Sequence, residues 1–311
     1  MQRIKIANLI LVGIIIITMF FGCGKKKETN KFVIGFSQCN SAEPWREAMN
    51  KELMTEAAKH PEINVIISDG QQDNSKQVAD VENFIVQEVD ILIISPNEAQ
   101  PLTRVVEKAY TSGIPVIVLD RKVLTDKFTT FIGADNTKIG FAAGEYAVKL
   151  LGGKGKVLEI WGLRGSTPAM ERDKGFKEGI ANNPGIEIIY EQDGAWLRRK
   201  GREIMENALQ RFEEIDMVYA HNDPMAIGAY LAAKNANRND KIFFIGIDGL
   251  PGAEGGIQSV LNEELSATFI YPTGGKEAIE IVKDILAGKT VEKNIILDTK
   301  TIDKTNANLF K

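Results

Sequence analysis

The feature that most constrains this chain is an alternation of short apolar runs with longer amphipathic stretches, which starts at residue 31. The runs at 91–94 (ILII) and 116–119 (VIVL) are apolar at every position. Such continuous runs are typical of parallel strands that helices cover on both faces. The stretches between runs, for example 75–88 and 138–151, have the spacing of amphipathic helices. This strand–helix alternation predicts an α/β fold with doubly wound sheets.

The number of predicted strands indicates more than one sheet. They lie at 32–36, 64–68, 91–95, 115–119, 130–132, 156–161, 187–190, 217–219, 242–246, 266–270 and 294–297. The chain has 311 residues, which exceeds the size at which single hydrophobic cores stop growing, about 250–300 residues. We therefore expect two α/β lobes.

The N-terminal segment differs from the rest of the chain. Arg3 and Lys5 precede an almost wholly apolar run at 6–22, and Cys23 and a lysine cluster follow it. This order is typical of an export signal. The sequence around Cys23 is similar to a bacterial lipoprotein box, although Phe20 stands where leucine is usual, and it predicts lipidation of Cys23. An uncleaved membrane anchor is the alternative, since the run approaches the about 20 residues that span a membrane.

In both cases, residues 1–30 are predicted to be signal, membrane anchor and spacer, and the folded part is expected outside the cell membrane. A net charge of −4 and a pI near 5.5 argue against a nucleic-acid partner, because phosphate binding requires a concentrated basic face. If Cys23 carries lipid, the only other cysteine, Cys39, has no partner for a disulfide.

Polar and aromatic residues follow many of the predicted strands, at the edge where open parallel sheets bind ligands. They include Trp45, Arg46, Asp120, Arg121, Trp196, Asn222, Asp248 and Tyr271, with Arg172 at the start of a predicted helix. Each has a structural alternative: Asp120 and Arg121 can pair with each other, and Arg172 can lie on a solvated helix face. Together they suit a sugar, because carboxylates and amides accept from hydroxyls, arginine donates and aromatic rings cover C–H faces.

Known catalytic patterns are missing from the sequence. It has no His-Glu-x-x-His, no cysteine pair at zinc spacing and no Gly-x-Ser-x-Gly elbow. The Gly274-Gly275-Lys276 stretch lacks the leading glycine and the final Ser or Thr of a phosphate loop. Cys39 has no evident base nearby in sequence. These observations predict a protein that is not an enzyme and needs no cofactor or metal.

The same residues lie in stretches that resemble the ribose and galactofuranose branch of the periplasmic sugar-binding proteins. The matching stretches are 34–38 with 45–46, 69–72, 118–121, 171–176, 217–223 and 247–249. The resemblance implies a type I periplasmic binding protein: two Rossmann-like lobes, a hinge of three segments and a ligand enclosed between the lobes. The expected N-terminal lobe comprises 31–134 and 269–298, and the expected C-terminal lobe comprises 135–268 and 299–311.

The resemblance also implies which residues contact the sugar. Carried over by motif, the expected contacts are Glu43, Trp45, Arg46, Asp120, Arg121, Arg172, Trp196, Asn222, Asp248 and Tyr271. Glu43 and Arg46 resemble the galactofuranose binders more than the ribose binders. Tyr271 stands where ribose binders have an amide. The fold also serves xylose, so the sugar stays open among pentoses and hexoses.

Two functions are consistent with this resemblance. The first is a solute-binding subunit that delivers a monosaccharide such as xylose, ribose or galactofuranose to an ABC permease. The alternative is a sugar sensor whose closed form engages the extracellular domain of a membrane histidine kinase. A LacI-type regulator shares the lobes but requires an N-terminal helix-turn-helix, and the apolar run at 6–22 occupies that place.

Overall fold

Residues 31–311 of the computed structural model form two six-stranded sheets, and the structure describes these residues only. The predicted signal, anchor and lipidated Cys23 lie outside them. The strands are β1 (Phe32–Gln38), β2 (Ile63–Asp69), β3 (Ile91–Ser95), β4 (Val116–Leu119), β5 (Thr130–Ala134), β6 (Lys154–Trp161), β7 (Gly185–Asp193), β8 (Met217–Ala220), β9 (Phe243–Ile245), β10 (Ala267–Ile270), β11 (Asn294–Leu297) and β12 (Lys300–Asp303).

Helices connect most of these strands, as the alternation predicts. They are α1 (Pro44–Ala57), α2 (Asn74–Val86), α3 (Ala99–Thr111), α4 (Asn136–Leu151), α5 (Thr167–Ile180), α6 (Arg198–Arg211), α7 (Asp223–Asn235), α8 (Gly256–Leu261) and α9 (Gly275–Leu286). Within residues 31–311, no helix is both long and apolar enough to cross a membrane.

Each sheet is the centre of one α/β lobe, so the predicted fold class is confirmed. The strand order is β11-β5-β4-β3-β1-β2 in the first sheet and β12-β10-β9-β8-β6-β7 in the second. The chain passes from one sheet to the other three times: between β5 and β6, between β10 and β11, and between β11 and β12. All pairs of the first sheet are parallel.

All eleven predicted strands are present, with ends that differ by a few residues, but the sequence prediction missed β12. This strand pairs antiparallel with β10 at the edge of the second sheet. Its sequence, KTID, buries only Ile302. Since an edge strand does not need a continuous apolar run, it lacks the signal that identified the central strands.

The central strands and the helices over them supply the cores. Strand β3 is buried at every position, and α3 lays Leu102, Val106 and Ala109 over the first sheet. In the second lobe, glycines bring α4 and α5 very close together. A Cβ atom on Gly140 would lie 2.2 Å from the carbonyl oxygen of Arg172, and one on Gly175 would lie 2.0 Å from that of Thr137. This close packing fixes the start of α5, where Arg172 is located.

Candidate functional site

The ten residues expected to contact a ligand line one narrow cavity, together with Pro168. They are contributed by both lobes and by the crossing after β10. Each of the ten is at most 7% exposed, so the lobes enclose the cavity. Helices α1, α5 and α7 begin at this cavity, with Trp45, Pro168 and Asn222 at or next to their first residues. The strand-end argument therefore identified a real cluster, and the role of its members as sugar contacts stays a prediction.

A buried ion pair forms the wall in the first lobe. Arg46 Nη2 lies 2.7 Å from Asp120 Oδ2, and Ser95 Oγ accepts from Arg46 Nη1 and donates to the same carboxylate. Burial alone would raise the pKa of the Asp120 carboxyl, but the charges of Arg46 and Arg121 outweigh it and hold this pKa below its usual value. Asp120 is therefore ionised at neutral pH. Its nearest cationic partner is Arg46, since Arg121 Nε lies 3.7 Å from the carboxylate.

The indole of Trp196 contacts two guanidinium groups. The Cζ atoms of Arg121 and Arg172 each lie 5.4 Å from its ring centroid. Arg121 also donates to the carbonyl of Asn97. Arg172 donates through Nε to Asn136 Oδ1 at 2.9 Å, and it is 3% exposed. The alternative of a solvated helix face for Arg172 is therefore wrong, and Trp196 helps to hold both arginines at the cavity.

The second lobe contributes two buried carboxyl groups. Asp248 follows β9 with a φ of 143°, and burial together with the charge of Asp223 raises its pKa well above the usual value. Burial also raises the pKa of Asp223 to about 6, although its Oδ2 accepts from Thr268 Oγ1 and the Gly249 N–H. Two neighbouring buried carboxylates repel each other, so ionisation of Asp223 disfavours ionisation of Asp248.

The crossing after β10 brings Tyr271 against the first lobe. The indole N–H of Trp45 donates to the Tyr271 carbonyl at 2.8 Å, and the two ring centroids are 5.3 Å apart. The Tyr271 hydroxyl donates to the Asp120 carbonyl at 3.3 Å. Because Tyr271 lies between the two sheets, these bonds connect the crossing to the cavity wall.

Glu43 directs its carboxylate to the cavity wall and leaves its own helix uncapped. It precedes α1 as the N-cap residue, but its side chain makes no capping bond. Its Oε1 accepts from Asn40 Nδ2 at 2.8 Å and from Gln72 Nε2 at 3.2 Å. By contrast, Asn222 caps α7 through Oδ1 and donates through Nδ2 to the Trp196 carbonyl. That bond fixes the loop that presents the indole.

Four buried polar atoms on these lining residues have no hydrogen-bond partner among residues 31–311: Arg46 Nε, Arg121 Nε, Trp196 Nε1 and Asp248 Oδ2. Buried polar groups are rarely unpaired, because each costs about 1–3 kcal/mol. Asp120, Trp196 and Asp248 also have positive φ angles of 68°, 69° and 143°, and such strained conformations cluster at ligand sites. The cavity thus offers three donors and one acceptor to a hydroxylated ligand.

The sequence reasoning missed several polar residues that support this wall. Ser95 is the last residue of β3 and Asn97 lies two residues beyond it, so the strand-end argument had the signal to include them. Asn136 and Pro168 lie in the first turns of α4 and α5. They reach the cavity region only because the two lobes pack together, which the sequence pattern does not show. Asn136 joins Arg172 to the Tyr271 hydroxyl.

His221 follows β8 next to Asn222, but its side chain does not line the cavity. Its Nε2 lies 2.9 Å from Glu159 Oε1, and both side chains are fully buried. Burial lowers the pKa of His221 well below its usual value and raises that of Glu159. The pair is therefore an internal polar contact behind the cavity. The backbone carbonyl of His221 accepts a hydrogen bond from the guanidinium of Arg172.

Comparisons with known proteins agree with this fold. Residues 34–290 match the model of a periplasmic binding protein domain. The chain is 39% identical to the ribose import binding protein of Bacillus subtilis, covering 88% of this chain and 86% of the relative. It is 40% identical to the galactofuranose-binding protein of Escherichia coli, covering 86% of each. A solved fructose-binding periplasmic domain of a hybrid two-component system is 47% identical, with a TM-score of 0.87 over 89% of this chain and 92% of that one.

Proposed function

This chain belongs to the periplasmic binding protein family and is a sugar-binding member of it, and from this premise we propose that it encloses one monosaccharide between its two lobes. Closure occurs by hinge motion at the three crossings, and the protein performs no chemistry on the sugar. Its relatives are binding proteins and not enzymes.

The observation that carries the proposal is the composition of the closed cavity. Three arginines, three carboxyl residues, one asparagine and three aromatic residues line it. Hydroxyl groups of a sugar can satisfy the unpaired atoms of Arg46, Arg121 and Asp248, and the aromatic rings supply apolar surface.

D-Fructose is the first candidate ligand, because the solved domain that is 47% identical is a fructose-binding domain. Ribose and galactofuranose follow, since proteins that are 39% and 40% identical bind or import them. Galactofuranose, arabinofuranose and fucofuranose are ligands of further solved relatives. Two other solved relatives hold myo-inositol, whose ring has six members.

A thermal-shift and calorimetry panel tests the proposal. The purified protein is mixed with D-fructose, D-ribose, D-galactose, L-arabinose and D-xylose. A sugar that binds only the folded state stabilises it by about 2.7 kcal/mol at a hundredfold excess over its dissociation constant. We expect this for one or two of the five, and Arg121→Lys is the site control. Absence of a shift with every sugar would remove monosaccharide binding as the function.

For the partner, we propose delivery of the bound sugar to an ABC permease, as supported by the import proteins among the relatives. Sensing is the second candidate, because the 47% identical domain is part of a hybrid two-component system. Deleting the gene in its host separates them. A transport protein is required for uptake of radiolabelled sugar, whereas a sensor is required for sugar-induced transcription while uptake from a constitutive permease continues.

We also propose that the chain is held at the outer face of the cell membrane through lipid on Cys23. The support is the apolar run at 6–22 that ends at this cysteine. Incorporation of radiolabelled palmitate into the wild-type protein, and not into Cys23→Ser, is the expected result. Absence of label in a membrane-bound wild-type protein would favour the uncleaved anchor instead.

A further inference from the structure

The two lobes are joined directly at a rim outside the residues that line the cavity. The backbone N–H of Ala99, at the start of α3, donates to the carbonyl of Gly165 at 3.0 Å. The backbone N–H of Lys122, after β4, donates to Thr167 Oγ1 at 2.9 Å. The Lys122 ammonium lies 2.7 Å from Glu171 Oε1. In each pair the first residue belongs to the lobe of the first sheet and the second to that of the second.

A weaker fourth contact lies at the neighbouring loop. The side-chain amide of Gln72 donates to the carbonyl of Ala195 across the cleft at 3.4 Å, and to Glu43 Oε1 within its own lobe. Gln72 and Ala195 both have positive φ angles, 58° and 50°. Two strained loops therefore meet edge to edge next to Glu43 and Trp196.

The fit at Gly165 is tight. A Cβ atom on this residue would lie 1.8 Å from Glu98 Oε2 and 2.7 Å from Glu98 Cγ, and Glu98 is itself held by Asn74 Nδ2 at 2.7 Å. A side chain at position 165 would therefore require the Glu98 side chain to move away from Asn74. The rim is therefore shaped for contact between the lobes.

We propose that these contacts form a latch, defined by Ala99, Lys122, Gly165, Thr167 and Glu171, that stabilises the closed form independently of which sugar is bound. The inference rests on the proposed enclosure of a sugar between the lobes. When the lobes separate, water replaces the latch bonds. Removing a latch bond therefore lowers the closed population, and apparent affinity falls in proportion to that population.

The latch predicts a signature that a sugar contact does not produce. A residue that bonds one hydroxyl changes the ranking of sugars. A latch residue scales the dissociation constants of all bound sugars by one common factor, because the closed–open equilibrium is the same for each.

Thr167→Val is the diagnostic variant, since it keeps the shape of the side chain and removes the acceptor for the Lys122 N–H. In the closed form this N–H loses its partner, whereas in the open form it bonds water. We expect the dissociation constants for D-fructose and D-ribose, or for every panel sugar that binds, to rise by the same factor of about three to ten. Lys122→Ala removes the partly exposed ion pair with Glu171, and it is expected to raise the dissociation constants about twofold.

Thr129→Val is a matched control within one lobe. Thr129 Oγ1 accepts the N–H of Val116 at 2.9 Å, so this variant removes the same kind of bond, but both partners lie in the first lobe. It is expected to lower the melting temperature and leave the dissociation constants unchanged. The latch is wrong if Thr167→Val leaves the dissociation constants unchanged, or if it weakens one sugar and spares another that binds the same site.

If no sugar of the panel binds the wild-type protein, the proposed function is refuted but the latch is not. A second measurement tests the latch without any sugar. Spin labels are placed at Lys127 and Lys174, whose side chains are 52% and 67% exposed and lie in different lobes, in a Cys23→Ser background with Cys39 buried. Pulsed electron paramagnetic resonance then gives the closed fraction without sugar. A smaller closed fraction in Thr167→Val than in Thr129→Val supports the latch, and equal fractions overturn it.

Discussion

Replacing Asp120 by asparagine removes one buried negative charge with little other change. The carboxylate is 4% exposed and lies 2.7 Å from Arg46 Nη2. Its φ of 68° is in the left-handed region, which asparagine tolerates better than most residues. The variant therefore adds little backbone strain, and the amide oxygen can still accept one bond from Arg46 or Ser95.

The expected loss of stability follows from the charges left behind. Without Asp120, the guanidinium groups of Arg46 and Arg121, which are 4% and 2% exposed, lose their carboxylate. Breaking a buried ion pair by removing one partner costs about 3–5 kcal/mol. Since the amide retains part of the hydrogen bonding, we expect about 3 kcal/mol, which corresponds to a decrease in melting temperature of roughly 6–10 °C.

Urea unfolding of the sugar-free protein, followed by circular dichroism at several pH values, measures this loss. The pKa of Asp120 is lowered in the folded protein, so its charge stabilises the fold above the unfolded-state pKa of about 3.9. This stabilisation disappears as the pH falls through the folded-state pKa. The difference between wild type and Asp120→Asn should therefore be constant above about pH 5 and shrink below pH 4.

Asp69→Asn is the matched control. Asp69 also ends a strand of the first sheet, but it is half-buried, and its Oδ1 accepts from the Gln71 N–H, a bond that an amide oxygen can keep. Its effect should stay within about 0.5 kcal/mol. If Asp120→Asn is as stable as Asp69→Asn at pH 7, the Arg46–Asp120 pair does not hold the cavity wall together and the reasoning from its geometry fails.

Three further substitutions test individual roles at the cavity. Trp196→Ala should weaken sugar binding by more than about 1 kcal/mol, and unchanged affinity in calorimetry would exclude a ligand contact. Arg121→Lys should also weaken binding, because lysine lacks the planar fork, and wild-type affinity would make this arginine structural. Asp248→Asn should weaken binding. It should also flatten the pH dependence of the free energy of unfolding, because a buried carboxyl with a raised pKa destabilises the fold as the pH rises from about 4 through its folded-state pKa. Urea unfolding from pH 4 to 8 checks this, and an unaltered profile would show that Asp248 is not the group that titrates.

The position of the candidate site could be predicted from the sequence because parallel strands end at the same edge of a sheet. Asn222 and Asp248 each follow a predicted strand of the second sheet, so the rule places these two together, and it places Asp120 at the corresponding edge of the first sheet. That the two edges face each other across a cleft was implied only by the family resemblance. The same rule applied without exception would also have included Ser95 at the end of β3 and Asn97 beyond it. The strand-end position therefore contains more information about the site than residue type does.

The pairing of the charged groups could not be predicted in this way. Asp120 and Arg121 are adjacent in sequence, which suggested a pair, but the shorter contact joins Asp120 to Arg46, at 2.7 Å against 3.7 Å. Arg46 lies on α1, and only the tertiary packing of this helix brings it to β4. Similarly, the edge strand β12 buries a single residue, Ile302, and leaves no periodic pattern.

The unpaired polar atoms at the cavity affect both the stability of the closed form and its selectivity among ligands. Each buried donor or acceptor without a partner destabilises the closed form by about 1–3 kcal/mol, and the cavity residues carry four of them. A ligand that supplies the matching hydroxyl groups removes this cost, whereas an analogue that lacks one hydroxyl leaves a buried group unpaired and loses that stabilisation. The latch contacts at Thr167 and Glu171 involve no ligand atom and stabilise closure equally for every sugar. The two proposals therefore divide the work between two sets of residues: the rim fixes how readily the lobes close, and the cavity sets the strength of binding to each sugar and hence the selectivity.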